Sequence, residues 1–186
     1  MMQPVVTMQT TMNRPPGLNR WVAPAPRKQL IVGMGDMLTS NDAHAVLVTY
    51  SLGSCVGISV YDPVAKVGGL LHAMLPDSTI NQERAGNRPY MFVDTGLPAM
   101  FHAIYALGGV KARLIVKLTG GAEFLDEKQI FRIGHRNVEA SCAILERNGV
   151  KITARETGGR ESRTVRLDLG NGNLTLDLPG RTPFQI

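Results

Sequence analysis

Cysteine is scarce in this chain of 186 residues, which contains only Cys55 and Cys142. One possible pair cannot form the disulfide framework of a small secreted domain. Neither Cys-x-x-Cys nor His-x-x-x-His spacing occurs, so we expect no closed structural zinc site. Cytoplasmic proteins keep their thiols reduced and unpaired, so we predict a cytoplasmic location.

Long apolar runs are also missing from the sequence. The uncharged apolar stretch at residues 95–110 is interrupted by Pro98 and His102 and is too short to cross a bilayer. The N-terminal residues show no apolar segment typical of a secretory signal. Charged residues make up only 19% of the chain and hydrophobic residues 44%. This composition argues against a disordered protein or a coiled coil and favours one domain with a substantial core.

Acidic residues are absent before Asp36, although the whole chain carries a formal charge of +5. That segment contains four basic residues: Arg14, Arg20, Arg27 and Lys28. Without them, 16 basic and 15 acidic residues remain, so the rest is nearly neutral and lacks a basic nucleic-acid surface. Residues 1–29 also hold five of the 11 prolines. We therefore predict a flexible basic arm over residues 1–29 and a single domain over residues 30–186.

Short β-rich runs separated by a few residues dominate the body of the chain, and such short connections favour antiparallel neighbours. The predicted strands are 30–32, 46–50, 56–61, 67–75, 113–118, 151–156, 164–169 and 174–178. Apolar residues at helical spacing, each run followed by glycine, predict two main helices over about 94–107 and 136–147. The polar residues 81–89 predict a loop. We predict an α+β domain with about seven or eight strands.

Cys55 directly follows Gly53-Ser54 at the start of the predicted strand 56–61. A glycine turn can point main-chain N–H groups inward, and the oxyanion formed by thiolate attack needs such donors. The alternative is that Cys55 is a small apolar residue within a strand, the commoner role of a free cysteine. Cys142 lies on the apolar stripe of the second predicted helix, and we interpret it as structural.

His72 lies in the next predicted strand, 67–75, among apolar residues. If strands 56–61 and 67–75 pair antiparallel, Cys55 and His72 come close together. A buried imidazole needs a polar partner, so His72 is either the base for Cys55 or a core histidine bonded to the main chain. A third group would orient the ring in a catalytic site. The residues alone leave four candidates open: Thr49, Ser51, Ser54 and Asp77.

Two sequence blocks are specific when they occur together at this spacing, Leu-Gly-Ser-Cys-Val-Gly at 52–57 and Gly-Gly-Leu-Leu-His-Ala at 68–73. Three further blocks follow at 117–122, 133–138 and 157–159. With these blocks the chain resembles the chemoreceptor glutamine deamidase family CheD over about residues 31–178. The resemblance implies a layered α/β sandwich, a β-sandwich-like core flanked by helices, similar to the catalytic domain of cytotoxic necrotizing factor.

The resemblance also implies site residues and an activity. Cys55 would be the nucleophile, His72 the base and Thr49 the residue that orients the imidazole, with Gly53 and Ser54 supporting the oxyanion. No metal or organic cofactor would be needed. The expected reaction is deamidation of glutamine side chains on chemotaxis receptors. The alternative is a non-catalytic partner that docks onto a CheC-type phosphatase and stimulates it.

The chain departs from the family pattern at two places near these residues. Tyr50-Ser51 occupies a place where smaller residues and glycine are common. Ser162 replaces the third glycine of the Gly-Gly-x-x-Gly-Arg pattern. If that position requires a positive φ, we expect either strain at Ser162 or a different loop.

Overall fold

The computed structural model describes residues 27–123 and 132–186. In chain order, the strands within these ranges are β1 (Lys28–Ile31), β2 (Asp36–Ser40), β3 (Ala45–Leu52), β4 (Val56–Asp62), β5 (Val67–Ala73), β6 (Ile115–Gly120), β7 (Ile152–Thr157), β8 (Arg163–Asp168), β9 (Leu174–Asp177) and β10 (Phe184–Gln185). The α-helices are α1 (Gln82–Asn87), α2 (Val93–Ala106) and α3 (Ile133–Arg147). Single 3₁₀ turns cover Ser78–Ile80, Pro89–Met91 and Lys111–Arg113.

The strands form two five-stranded sheets. The first sheet has the order β1-β3-β8-β9-β10 and the second the order β2-β5-β4-β6-β7. Most neighbours are antiparallel, as the short connections predict, but β1–β3 and β6–β7 are parallel. The reason is that β2 crosses to the other sheet between β1 and β3, while α3 provides the crossover between β6 and β7.

Two apolar layers hold the domain together. One lies between the sheets and combines side chains of β3, β8 and β9 with Tyr61 and Leu70 of the second sheet. The other lies between the second sheet and helices α2 and α3, where Leu97, Met100 and Ile104 of α2 are fully buried. The second sheet is therefore covered on both faces, and every residue of β4 and β5 is buried.

This arrangement confirms the predicted α+β layered sandwich with helices on one side. The predicted strands and both main helices are present with shifted ends. The prediction missed β2 and β10, and it was wrong to read residues 81–89 as loop throughout, because α1 begins there with the Asn81 side chain accepting from the Arg84 N–H. A helix of six residues offers too little apolar periodicity to be recognised.

The N-terminal end of the domain is anchored by β1, which begins at Lys28. Arg27 precedes it and forms an ion pair with Asp168, the last residue of β8 in the first sheet. The predicted arm lies, up to residue 26, outside the described residues, and it stays a prediction. Among the described residues, no helix is long and apolar enough to cross a membrane.

Candidate active site

Strand β5 carries His72 on the face that looks toward the first sheet. Successive side chains of a strand alternate between faces. Leu71 and Ala73 accordingly pack in the helix-covered layer, whereas Leu70 belongs to the layer between the sheets. His72 shares the face of Leu70 and is only 2% exposed.

The pairing of β4 with β5 brings Cys55 beside this imidazole. The two strands are antiparallel, as predicted, and Gly57 lies directly opposite His72. Cys55 lies in the turn directly before β4 and packs against the layer between the sheets, the layer to which Leu70 on the face of His72 also belongs. Gly57 has no side chain, and the space that a Cβ would occupy there is taken by the side chains of Thr119 and Leu52.

Thr49 of β3 fixes the orientation and the tautomer of His72. Its Oγ1 donates a hydrogen bond to the Val32 carbonyl at 2.8 Å and lies 2.7 Å from Nδ1 of His72. A hydroxyl has one proton, so Oγ1 must accept from Nδ1–H. Nε2 is then the unprotonated nitrogen, and it has no hydrogen-bond partner among the described residues. A buried, unpaired basic nitrogen of this kind is suited to accept a proton.

Burial sets the protonation states of the pair. It lowers the pKa of the His72 imidazole to about 4. It raises the pKa of the Cys55 thiol to about 11, against a smaller lowering effect from the main-chain N–H of Cys55 itself. Both groups are therefore neutral near pH 7. The reactive thiolate forms as its proton passes to Nε2, so His72 is suited to general-base catalysis.

The turn that carries Cys55 is held in place by hydrogen bonds that its carbonyl groups accept. The Ala122 N–H donates to the Gly53 carbonyl at 2.8 Å, and the Gly121 N–H donates to the Cys55 carbonyl at 2.8 Å. In a trans peptide the N–H points opposite to the C=O of the same unit. The N–H of Ser54 therefore points away from the segment after β6. Outward-facing N–H groups of this kind can stabilise an oxyanion.

Gly120 allows the segment after β6 to lie close to the turn that carries Cys55. Its φ is +93°, and a Cβ at this position would lie 2.4 Å from the Cys55 carbonyl oxygen. Any side chain would therefore push the Cys55 turn away. The sequence block at 117–122 contains this glycine, but its role in holding Cys55 was not predicted.

A bulge in β3 separates Thr49 from the Cys55 turn. The register with β8 pairs Thr49 with Val165 and Leu52 with Arg163, so Tyr50 and Ser51 face a single residue of β8. Ser51 has a φ of +55°, a conformation that glycine adopts most easily. Thr49 and Leu52 are both buried on either side of the bulge.

Arg163, the first residue of β8, supports the same segment. Its guanidinium is nearly buried, pairs with Glu156, and donates to the Gly158 carbonyl at 2.6 Å. The Gly158 N–H in turn donates to the Gly120 carbonyl at 2.9 Å. Ser162 is not among the described non-glycine residues with positive φ, so the expected strain is absent. The lost glycine therefore leaves this support in place.

The remaining sequence candidates lie in other environments. Asp77 caps the 3₁₀ turn at Ser78–Ile80 through the Thr79 N–H, and its pKa is lowered mainly by hydrogen bonds to Thr79. Ser51 is exposed on the bulge. Cys142 is a free cysteine on α3 that packs against the helix-covered layer, in keeping with its structural interpretation.

One residue near the site was missed by sequence reasoning. Asn137 of α3 is fully buried, and its Nδ2 donates to the carbonyls of Ser54 at 3.0 Å and Met74 at 2.9 Å. The block at 133–138 could have pointed to it, because a polar residue on the buried side of a helix needs partners in the core.

These features define a layered α/β protein with a neutral cysteine–histidine pair, an arrangement suited to acyl transfer. A family model described as "CheD chemotactic sensory transduction" matches residues 74–177. Together with the relatives described next, this match shows that the chain belongs to the CheD family.

Several curated relatives are similar over most of their length. A probable chemoreceptor glutamine deamidase CheD 1 of Syntrophus aciditrophicus is 44% identical, covering 81% of this chain and 94% of the relative. A probable chemoreceptor glutamine deamidase CheD of Solibacter usitatus is 45% identical, covering 83% and 91%. A Neisseria meningitidis crystal structure of family DUF152 aligns with a TM-score of 0.45 at 10% identity. The alignment covers 72% of this chain and 65% of that one, and it adds nothing to the fold described above.

Proposed function

We propose that this protein is a glutamine deamidase that converts glutamine side chains of chemotaxis receptors to glutamate. Cys55 is the nucleophile, His72 the general base, and Thr49 the residue that orients the ring. The observation that carries this assignment is the hydrogen bond from His72 Nδ1 to Thr49, which leaves Nε2 without a partner among the described residues. The curated names of the relatives support the choice of substrate.

The first half of the reaction forms a thioester. The Cys55 sulfur attacks the carboxamide carbon of glutamine while its proton moves to Nε2 of His72. The negative charge on the carboxamide oxygen is stabilised by the main-chain N–H groups of Ser54 and Cys55, with Gly53 permitting the turn. His72 then returns the proton to the amide nitrogen, the C–N bond breaks, and ammonia leaves.

The second half hydrolyses the thioester. His72 takes a proton from water, whose oxygen attacks the thioester carbon through a second oxyanion. The C–S bond breaks, the proton returns to sulfur, and the side chain leaves as glutamate. The net reaction consumes one water and regenerates the thiol, and the proton that the new carboxyl group loses is taken up by ammonia as ammonium. A new negative charge remains on the receptor helix and alters its electrostatic packing.

The test is deamidation of a purified receptor signalling fragment, followed as ammonia release and by mass spectrometry of its glutamine-bearing peptides. We expect Cys55→Ala to abolish turnover and Cys142→Ala, as the matched control, to retain it. Unchanged turnover in Cys55→Ala would remove the assignment of the nucleophile.

The location and a second partner are separate predictions. Two free thiols suit a reducing compartment, so we propose that the protein acts in the cytoplasm. Docking onto a CheC-type phosphatase, which the family resemblance implies, also stays a prediction. Binding that persists in Cys55→Ala would show that docking does not depend on the reaction.

A further inference from the structure

We propose that Asn137 is a positioning residue of the deamidation reaction, which orients the Ser54–Cys55 peptide so that its N–H faces the developing oxyanion. The inference rests on the proposed function, since it assigns a role within that reaction. It starts from an amide side chain that lies in α3, outside the strands that carry the cysteine and the histidine.

A single amide group joins the two halves of the site. Both N–H groups of Asn137 Nδ2 are used, one for the Ser54 carbonyl at 3.0 Å and one for the Met74 carbonyl at 2.9 Å. Ser54 directly precedes the nucleophile, and Met74 follows His72 by two residues. Asn137 therefore sets the spacing between the Cys55 turn and the end of β5.

The bond to Ser54 also determines where the next N–H points. The Ser54 carbonyl and the Cys55 N–H belong to one planar trans peptide and point in opposite directions. With the carbonyl held by Asn137, the Cys55 N–H is directed to the other side, toward its own sulfur, as its effect on the thiol pKa indicates. A rotated peptide would present a carbonyl oxygen to the oxyanion instead, and that oxygen would repel it.

Stability alone does not account for this side chain. The Oδ1 atom of Asn137 is buried without a hydrogen-bond partner among the described residues. An unpaired buried acceptor destabilises a folded protein. The compensating contribution is the pair of donors on Nδ2, and these donors reach only the two segments that carry Cys55 and His72.

The experiment compares two replacements of Asn137 that differ in side-chain volume but both lack hydrogen-bond donors. Asn137→Ala leaves a cavity, whereas Asn137→Leu fills most of the space, and both lack the two donors. Ser141→Ala is the matched control, because Ser141 is also fully buried on α3 but its hydroxyl donates only to the Asn137 carbonyl within the helix, at 2.7 Å. Each variant is assayed for kcat and KM on the receptor fragment and for alkylation of Cys55 by iodoacetamide.

We expect both Asn137 variants to lose about 10²-fold in kcat with little change in KM, as when an oxyanion donor is removed. Cys55 alkylation should change much less, because that reaction passes through no oxyanion. Ser141→Ala should keep its kcat. A purely structural role predicts instead that Asn137→Leu recovers activity, or that alkylation falls in parallel with kcat, and either result would overturn the proposal.

Failure of the proposed function gives a different pattern. In that case the wild-type protein would not deamidate the fragment, and Cys55→Ala would match it. Failure of the Asn137 proposal alone leaves an active wild type, an inactive Cys55→Ala, and Asn137 variants of nearly wild-type kcat.

Discussion

The two ends of strand β4 carry buried polar groups of opposite character. At its C-terminal end, the Asp62 carboxylate accepts from the N–H groups of Val64, Ala65 and Val110 and pairs with the Arg113 guanidinium at 2.8 Å. At its N-terminal end, the site around Cys55 combines a neutral thiol with a neutral imidazole and contains two buried atoms, His72 Nε2 and Asn137 Oδ1, that lack partners within the described ranges.

The difference shows how one strand serves stability at one end and chemistry at the other. The Arg113 bond and three N–H donors hold the pKa of Asp62 far below its usual range, so its charge is permanent and fully compensated. Burial without a charged partner keeps Cys55 and His72 neutral instead. Unsatisfied atoms are costly in a folded protein and are expected where a substrate will use them.

After loss of the Cys55 thiol, the largest effect should come from removing the base. We expect His72→Ala to lower kcat by about 10²–10⁴-fold, the range for loss of a general acid–base group. The assay is ammonia release from the receptor fragment, corrected for the folded fraction by circular dichroism. His102→Ala, an exposed histidine on α2, is the matched control. If the kcat of His72→Ala stayed within a few-fold of wild type, the proposed catalytic role of the N-terminal end of β4 would be contradicted.

The opposite end should respond in stability alone. We expect Asp62→Asn to lower the free energy of unfolding by about 2 kcal/mol or more, because charged hydrogen bonds to buried donors are lost. Its kcat, measured on folded protein, should stay near that of wild type. The control is Asp177→Asn, which removes a surface pair with Arg166 of 3.6 Å and should cost less than about 1 kcal/mol in urea unfolding. A large fall in kcat for Asp62→Asn would contradict the assignment of the C-terminal end of β4 to stability alone.

Removing the hydroxyl of Thr49 tests the orientation of the ring with little change in volume. We expect Thr49→Val to lower kcat by about 10-fold, because Nδ1–H loses its acceptor and the ring can adopt the other tautomer. Thr49→Ser should restore most of the activity, since it keeps an oxygen that can accept from Nδ1. Equal kcat values for the Val and Ser variants would argue against an orienting hydroxyl.

Lowering the pH should reveal the low pKa of His72 at the N-terminal end of β4, both in activity and in stability. The base form of His72 is lost only as pH falls through about 4, so we expect the acidic limb of kcat/KM near that pH and below the usual 6.5 for histidine. Between about 6.5 and 4 the unfolded chain takes up a proton that the folded chain does not, so stability should fall over this window. In His72→Gln, the free energy of unfolding should change less with pH over this window. An acidic limb of kcat/KM near pH 6.5 would contradict the buried neutral ring.

Much of the sheet region could be predicted from sequence because β-branched and apolar runs repeat with short gaps. The β4–β5 pair followed from two adjacent runs around a turn, and that pairing placed Cys55 near His72. The choice among Thr49, Ser51, Ser54 and Asp77 could not be made from residue types. It depends on the packing of the first sheet against the second, which puts the Thr49 hydroxyl 2.7 Å from the imidazole.

The sequence by itself determined the fold class, the strand pairing that joins Cys55 to His72, and the near-neutral body, since all three follow from local pattern and composition. Only the tertiary structure decided which hydroxyl accepts from the imidazole, which N–H groups are free, and that Asn137 reaches both sides of the site. The physical reason is that hydrogen-bond direction at a buried site is set by segments distant in sequence, such as β3, the turn after β6 and α3. Their approach depends on packing that no local pattern encodes.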